Sequence, residues 1–272
     1  MPFVFPGAGA LALAEPAGPN RLGPMPALAV FLLAMASVAT AQPKGARPPV
    51  SAGLAAVTSP SPYADVDDPP VTLVPVVNFS FDRFYLRGLE AGYRLTDTET
   101  LSVSAVVQPR FQSFKAGDSP ALAGMASRRR TAEAGLRGEL KKGPWAFSLR
   151  GVTDLLGRHH GQVVTADASF RWGGPLLTVR PSAGIQWQSR DFVDYYYGVH
   201  PAEARAGRPA YTGKAAFNPF VGASARVRLG KRWGLFALVR HHWLDGGITD
   251  SPIVDSRTDR SGILGITRGF GG

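Results

Sequence analysis

The chain has 272 residues, of which 44% are hydrophobic and 18% are charged, and no run of eighteen apolar residues crosses its body, which excludes a helical inner-membrane protein. Its 32 glycines and 23 prolines favour strands and turns, and the absence of cysteine excludes disulfides and a lipid-modified cysteine anchor. The net charge of +10 indicates attraction to anionic surfaces. It does not indicate nucleic acid, because the arginines are spread through strand segments.

The N-terminus predicts export. Residues 27–38 form an apolar run that is too short to span a bilayer, and the small residues Ala39-Thr40-Ala41 follow it. This pattern is typical of a secretory signal peptide, so we predict a signal over residues 1–41 with cleavage after Ala41. Arg21 is the only cation before the apolar run, and translation from Met25 is therefore an alternative start.

Residues 42–70 are rich in Pro, Ala, Ser and Asp without periodicity, which predicts a flexible lead-in. From Leu101 to Trp243 apolar and polar residues alternate, segment after segment, so each segment has one apolar and one polar face. Leu101 and Val103, for example, share one parity, and Ser102 and Ser104 share the other. After the lead-in, ten strands are predicted to follow to the end of the chain, at about 71–80, 84–95, 100–111, 130–140, 145–154, 161–172, 175–188, 215–229, 233–244 and 260–270.

The connectors between these strands alternate short and long. Tight turns such as Lys141-Lys142-Gly143-Pro144 alternate with longer links at about 112–129, 155–160, 189–214 and 245–259. Only the link near 81–83 breaks the alternation, because it stands where a long link is expected but is short. Sorted connector lengths and strands of ten residues or more are typical of an outer-membrane barrel. Aromatic residues cluster beside the short turns, as an interfacial girdle would: Tyr93, Trp145, Phe170, Trp172, Trp233 and Phe270.

Residues 71–270 are therefore predicted to form an all-β, transmembrane, antiparallel up-and-down barrel of about ten strands, with ten to twelve as the range. It has short periplasmic turns and longer extracellular loops, and it lies among outer-membrane lipid and lipopolysaccharide. A soluble periplasmic β-sandwich is the remaining alternative, but it would not explain the sorted connectors.

The polar parity would line the barrel lumen with more cations than anions. A positive interior predicts an anion-favouring pore, whereas side chains that fill a narrow barrel as a salt-bridged network predict a plug. Both interpretations stay open at this point. The candidate lumen charges are Arg94, Arg110, Arg137, Arg150, Arg171, Arg180, Arg226, Arg228 and Arg240, with Glu90, Glu133, Glu139 and Asp167.

No catalytic, cofactor or metal site is predicted. The histidine pairs His159-His160 and His241-His242 are neighbours in sequence, and adjacent strand residues point to opposite faces, so neither pair suits one metal ion. There is no GxSxG motif and no convincing Ser/His/Asp set.

The longest link is rich in tyrosine. Its candidate interaction residues are Asp194, Tyr195, Tyr196, Tyr197, Pro201 and Tyr211, which suit either a lid over the barrel mouth or a protein contact surface. The run Asp-x-Tyr-Tyr-Gly-Val-x-Pro-x-Glu-Ala at 194–204, the Gly-x-Pro-Ala-Tyr at 207–211, the segment 251–255 and the last strand at 261–270 resemble the MipA/OmpV family of outer-membrane proteins.

This resemblance implies a monomeric or weakly oligomeric outer-membrane barrel without catalytic residues. The founding member of the family is known as a scaffold that joins a murein hydrolase to a murein synthase. The resemblance thus implies a non-enzymatic, envelope-organising scaffold that binds murein enzymes. The alternatives are a channel for small solutes and a surface adhesin or receptor.

Overall fold

The computed structural model describes residues 50–66 and 71–270, and within them the chain forms one continuous sheet. The predicted signal peptide lies outside the described residues. Two short α-helices, α1 (Arg190–Tyr197) and α2 (Gly246–Thr249), lie in loops, and no helix of the described ranges is long and apolar enough to cross a membrane. The strands are β1 (Val50–Thr58), β2 (Thr72–Phe81), β3 (Phe84–Gly88), β4 (Glu90–Asp97), β5 (Leu101–Arg110), β6 (Thr131–Lys142), β7 (Trp145–Asp154), β8 (Gln162–Phe170), β9 (Trp172–Gly173), β10 (Leu177–Gln188), β11 (Ala216–Leu229), β12 (Trp233–Trp243) and β13 (Thr258–Phe270).

The sheet closes on itself because β13 pairs with both β12 and β1, and all neighbouring strands are antiparallel. The short β9 follows β8 directly, and both pair with β10 in the same register. The two count as one strand of the wall, so the described strands form a wall of twelve. In a closed ladder each strand finds hydrogen-bond partners on both sides, which is what a hydrocarbon environment demands. The fold is that of an outer-membrane β-barrel.

The two faces of the wall have the predicted polarity. Leucines such as Leu149, Leu136 and Leu264 lie on the outer face and are largely exposed, as residues in contact with lipid are. Exposed aromatic rings line the end with the short turns: Phe84, Tyr93, Trp145, Trp172, Trp233 and Phe270. Aromatic side chains at this level mark the membrane interface.

Arg268 lies on the outer face near the periplasmic end of β13, where an apolar residue is usual. Its guanidinium lies 5.7 Å from the ring centre of Trp233 and 5.5 Å from that of Phe270. An arginine near the interface costs about 0–1 kcal/mol, and these cation–π contacts offset part of that cost.

The strand prediction needs two corrections. Residues 50–58, which were expected in the flexible lead-in, form β1, and the segment 84–95 is a hairpin of two strands that turns at Gly88, where φ is +63°. The wall therefore has twelve strands rather than ten. Alanine and glycine hide the alternation in β1, but its backbone is needed to join β2 to β13.

These extra strands also explain the link at 81–83. With β1 in front of it, β2 runs toward the periplasm, so this link is a periplasmic turn of the expected short class. The β3–β4 hairpin is instead the short connection on the extracellular side.

Candidate functional site

Four loops fold inward at the extracellular mouth and share one hydrophobic cluster, which we call the cap. It rests on inward residues of β5, β7, β8 and β11, and its loops follow β1, β5, β10 and β12, so it extends over the lumen. Each large side chain buried in this way contributes about 1.5–3 kcal/mol. The loop members are Tyr63, Phe114, Leu122, Met125, Phe192, Val193, Tyr196, Tyr197, Val199, Ile248 and Ile253, and the strand members are Val106, Val152, Val163 and Ala216.

Helix α1 is the centre of the cap. The Ser189 hydroxyl caps its first turn by accepting a hydrogen bond from the backbone N–H of Phe192. Its buried face includes Phe192 and Tyr196, one helical turn apart, and both rings are fully buried. Burial raises the pKa of Tyr196 and of Tyr197, so both phenols stay neutral.

Two glycines let neighbouring loops approach α1 closely. A Cβ at Gly161 would collide with the backbone nitrogen of Phe192, and a Cβ at Gly213 would collide with that of Asp194. Gly213 also donates its N–H to the Asp194 carboxylate at 2.8 Å. The Tyr-rich loop can therefore sit inside the barrel mouth instead of projecting from it.

A buried ion pair, which we call the latch, joins two loops of the cap. Arg128 donates to both carboxylate oxygens of Glu203, at 3.1 and 2.9 Å, and its Nε donates to the backbone carbonyl of Tyr195 at 2.6 Å. Glu203 also accepts from the backbone N–H groups of Ala126 and His200. Burial acts to raise the pKa of Glu203, but these hydrogen bonds lower it further than burial raises it, so the carboxylate is charged.

Two glutamates organise the part of the lumen directly beneath the cap. Glu133 has no exposed side-chain surface and accepts hydrogen bonds from Arg110 at both oxygens, each at 2.9 Å. Arg137 lies 3.2 Å from the Glu90 carboxylate, and Arg150 lies 4.0 Å from it. These ion pairs join inward side chains of the neighbouring strands β4, β5, β6 and β7 beneath the cap.

Below the ion pairs, the lumen contains a polar cavity of about 150 Å³. Arg180, Arg240 and Asp167 line it, and neither arginine has a carboxylate within 4.0 Å among the described residues. Four serines add hydroxyl groups to its wall: Ser148, Ser169, Ser182 and Ser224. The cavity can hydrogen-bond a small anion.

The periplasmic end carries a concentration of positive charge along β6–β12, which we call the cationic rim. All of its members are exposed, and within the described residues only Lys141 forms an ion pair, with Glu139 at 3.3 Å. Uncompensated charge of one sign at a barrel opening attracts acidic partners over several ångströms. The members are Lys141, Lys142, Arg171, Arg180, Arg226, Arg228, Lys231 and Arg232.

The structure divides the predicted lumen charges between the barrel interior and the cationic rim. Arg110, Arg137, Arg150 and Arg240 lie inside the barrel with Glu90, Glu133, Glu139 and Asp167, whereas Arg171, Arg226 and Arg228 belong to the rim. Arg180 lies between the two, because it lines the lumen cavity and is also exposed at the rim. Arg94 lies near a periplasmic turn, 3.2 Å from Asp97.

The candidate residues of the Tyr-rich loop belong to the cap or its frame. Tyr196 and Tyr197 are buried, Tyr195 and Tyr211 pack against the cluster, and Pro201 begins a short 3₁₀ helix. Sequence reasoning missed Arg128 as a functional residue. It lies in a run of three arginines without periodicity, so no local signal distinguished it from its neighbours.

His159 gives the cap a predicted pH dependence. Burial beside Phe192 and Tyr196 lowers the pKa of His159 below its ordinary value, although Asp154 and Glu133 act in the opposite direction. The opened cap therefore binds a proton at a higher pH than the closed cap. We expect the stability of the cap to fall as the pH drops through about 6.5, the ordinary histidine value, toward the native pKa.

Limited proteolysis of the cap loops at about pH 7.5 and 5.5 measures this effect, and cleavage should be faster at the lower pH. The variant His159→Phe should remove the difference, and His160→Gln, at an exposed neighbour, should retain it. Glu203 does not interfere, because a carboxyl group with a lowered pKa loses its contribution only at more acidic pH. Equal cleavage of the parent protein at both pH values would contradict the prediction.

The closed wall, apolar exterior and charged interior define an outer-membrane β-barrel protein. A family model described as the MltA-interacting protein MipA matches residues 52–270, and the chain belongs to this family. The resemblance read from the loop motifs is thereby confirmed, and relatives named as outer-membrane proteins agree with the predicted location in the outer membrane.

Relatives extend over most of the chain. The MltA-interacting protein of Escherichia coli K12 is 34% identical over 251 residues, which cover 90% of this chain and 97% of that protein. The putative outer membrane protein YiaT of the same organism is 26% identical over 246 residues, which cover 89% of this chain and 97% of that protein. Among solved structures, an outer membrane channel from Pseudomonas putida F1 aligns with a TM-score of 0.43 and 12% identity, over 85% of this chain and 97% of that one.

Proposed function

We propose that this protein is a non-enzymatic scaffold of the outer membrane that binds murein-processing enzymes at its periplasmic end. The observation that carries the proposal is the contrast between the two ends of the barrel. The extracellular mouth is filled by the cap, whereas the periplasmic end exposes the cationic rim. Murein enzymes work in the periplasm, so a scaffold for them needs its free binding surface on that side.

The chemistry of the rim supports an acidic protein partner. Its lysines and arginines are exposed and mostly without carboxylate partners among the described residues, so binding an acidic surface requires no internal ion pair to break. The similarity to a relative that is named as an MltA-interacting protein also supports a protein partner. Lipid and lipopolysaccharide surround the wall in this proposal.

Charge reversal at the rim tests the proposal. In the variant Lys142→Glu, Lys231→Glu, Arg232→Glu we expect the affinity for a purified murein hydrolase or synthase to fall at least about tenfold, because attraction becomes repulsion. The affinity of the parent protein should also fall as salt is raised. Surface plasmon resonance on detergent-solubilised protein measures both.

The matched control carries the same change in charge at the other end of the barrel. Lys115→Glu, Arg158→Glu, Lys214→Glu replaces three exposed extracellular cations and should bind like the parent protein. Equal loss of affinity in both triple variants, or no binding by the parent protein, would refute a scaffold that works through the rim.

A channel for small anions is a second candidate, and the polar cavity with its arginines favours it. We expect the cap to block the path through the lumen, and the parent protein therefore to show no conductance steps in planar bilayers. The adhesin hypothesis has less support, because Tyr196 and Tyr197 of its candidate loop are buried.

A further inference from the structure

A groove on the outer wall of the barrel combines small apolar residues with an arginine and a histidine. Four strands supply a row of outward residues, because Ala223 pairs with Val239, Val239 with Gly262, and Gly262 with Thr58. The small side chains in this row leave a depression between their larger neighbours. The groove measures about 520 Å³, which is within the size range of pockets that enclose a small-molecule ligand.

The next row toward the extracellular side carries the charge. Val221 pairs with His241, and His241 pairs with Arg260, so both basic side chains stand beside each other on the lipid-facing side. Arg260 is exposed and has no carboxylate within 4.0 Å among the described residues. The His241 ring packs edge-on against Trp243, with the ring centres 4.7 Å apart.

The depth of these residues selects the ligand class. Arg260 is the third residue from the extracellular end of β13, so it lies at the level of outer-leaflet headgroups. An unpaired arginine there gains most from a phosphate, which accepts its paired N–H donors. The groove beneath it is apolar and suits an acyl chain.

We propose that this groove binds lipid A, the phosphorylated glycolipid of the outer leaflet, with a phosphate at Arg260 and His241 and an acyl chain against Ala223 and Gly262. The shape and the charge both belong to this one part of the wall. The site is separate from the cap, the lumen and the cationic rim, so the inference does not depend on the proposed scaffold function.

Native mass spectrometry of the detergent-solubilised protein with added lipid A tests the proposal. We expect the parent protein to retain one lipid A and to prefer it over phosphatidylethanolamine, which has no net charge. The double variant Arg260→Ala, His241→Ala should lose at least about tenfold in the retained fraction. The variant Ala223→Leu, which fills the groove without changing the charge, should lose a similar amount.

Arg268→Ala is the matched control, because Arg268 is an outward arginine at the opposite, periplasmic interface. It should retain lipid A like the parent protein. Heat-modifiable migration on gels verifies that each variant is folded. Equal retention of lipid A and phosphatidylethanolamine, or unchanged retention in both groove variants, would show only a general lipid annulus and overturn the proposal.

Discussion

Replacing Glu203 with alanine should open the cap while the barrel wall stays folded. The substitution leaves the Arg128 guanidinium buried without its carboxylate and removes the acceptor for the N–H of Ala126. Removing one partner of a buried ion pair typically costs about 3–5 kcal/mol. The wall has its own closed ladder of hydrogen bonds, so we expect the loss to be confined to the loops.

Hydrogen exchange followed by mass spectrometry measures this local opening. Peptides from 111–130 and 189–215 should exchange faster in Glu203→Ala, and peptides from β6 and β7 should not change. Asp97→Ala is the control, because it breaks the partly exposed pair with Arg94, for which we expect less than about 1 kcal/mol. Unchanged exchange in the two loops would show that the latch does not hold the cap.

A double variant separates the ion pair from the space it fills. Arg128→Met with Glu203→Met removes both charges and retains much of the apolar volume, so we expect it to recover part of the stability that Glu203→Ala loses. The same variants address the channel hypothesis. Conductance steps in Glu203→Ala but not in the parent protein would indicate a lumen that the cap controls.

Placing an arginine on the lipid-facing side of the wall should destabilise the whole barrel. Leu149 lies in the middle of β7 and is 57% exposed on the outer face. At the bilayer midplane an arginine costs about 2–4 kcal/mol, so we expect Leu149→Arg to lower the free energy of unfolding by that amount. Urea unfolding in lipid vesicles, followed by the shift in gel migration between folded and unfolded forms, measures it.

The neighbouring residue gives the control. Ser148 faces the lumen cavity and pairs across the strands with Asp167, so the added cation in Ser148→Arg enters a polar cavity that Asp167, Arg180 and Arg240 line. We expect this variant to lose less stability than Leu149→Arg, because the cavity is polar whereas the outer face meets hydrocarbon. If both variants lost equal stability, the two faces would not meet different solvents.

The sequence was most informative where a side chain reports its surroundings directly. Alternation along β6 and β7 placed Glu133, Arg137 and Arg150 on the inner face, and the structure has them there. It was least informative for β1, whose small residues give no contrast between its faces. This strand is specified by its two neighbours, whose backbones it must join.

The amino-acid pattern by itself determined a barrel with an apolar exterior, short turns at one end and a charged interior, because each strand must match lipid on one side and water on the other. Only the tertiary structure decided that Arg128 meets Glu203, that the tyrosines close the mouth and that Arg260 stands beside His241. Those contacts join residues far apart in the chain. They depend on loop packing and on the register around the closed wall, which no local periodicity encodes.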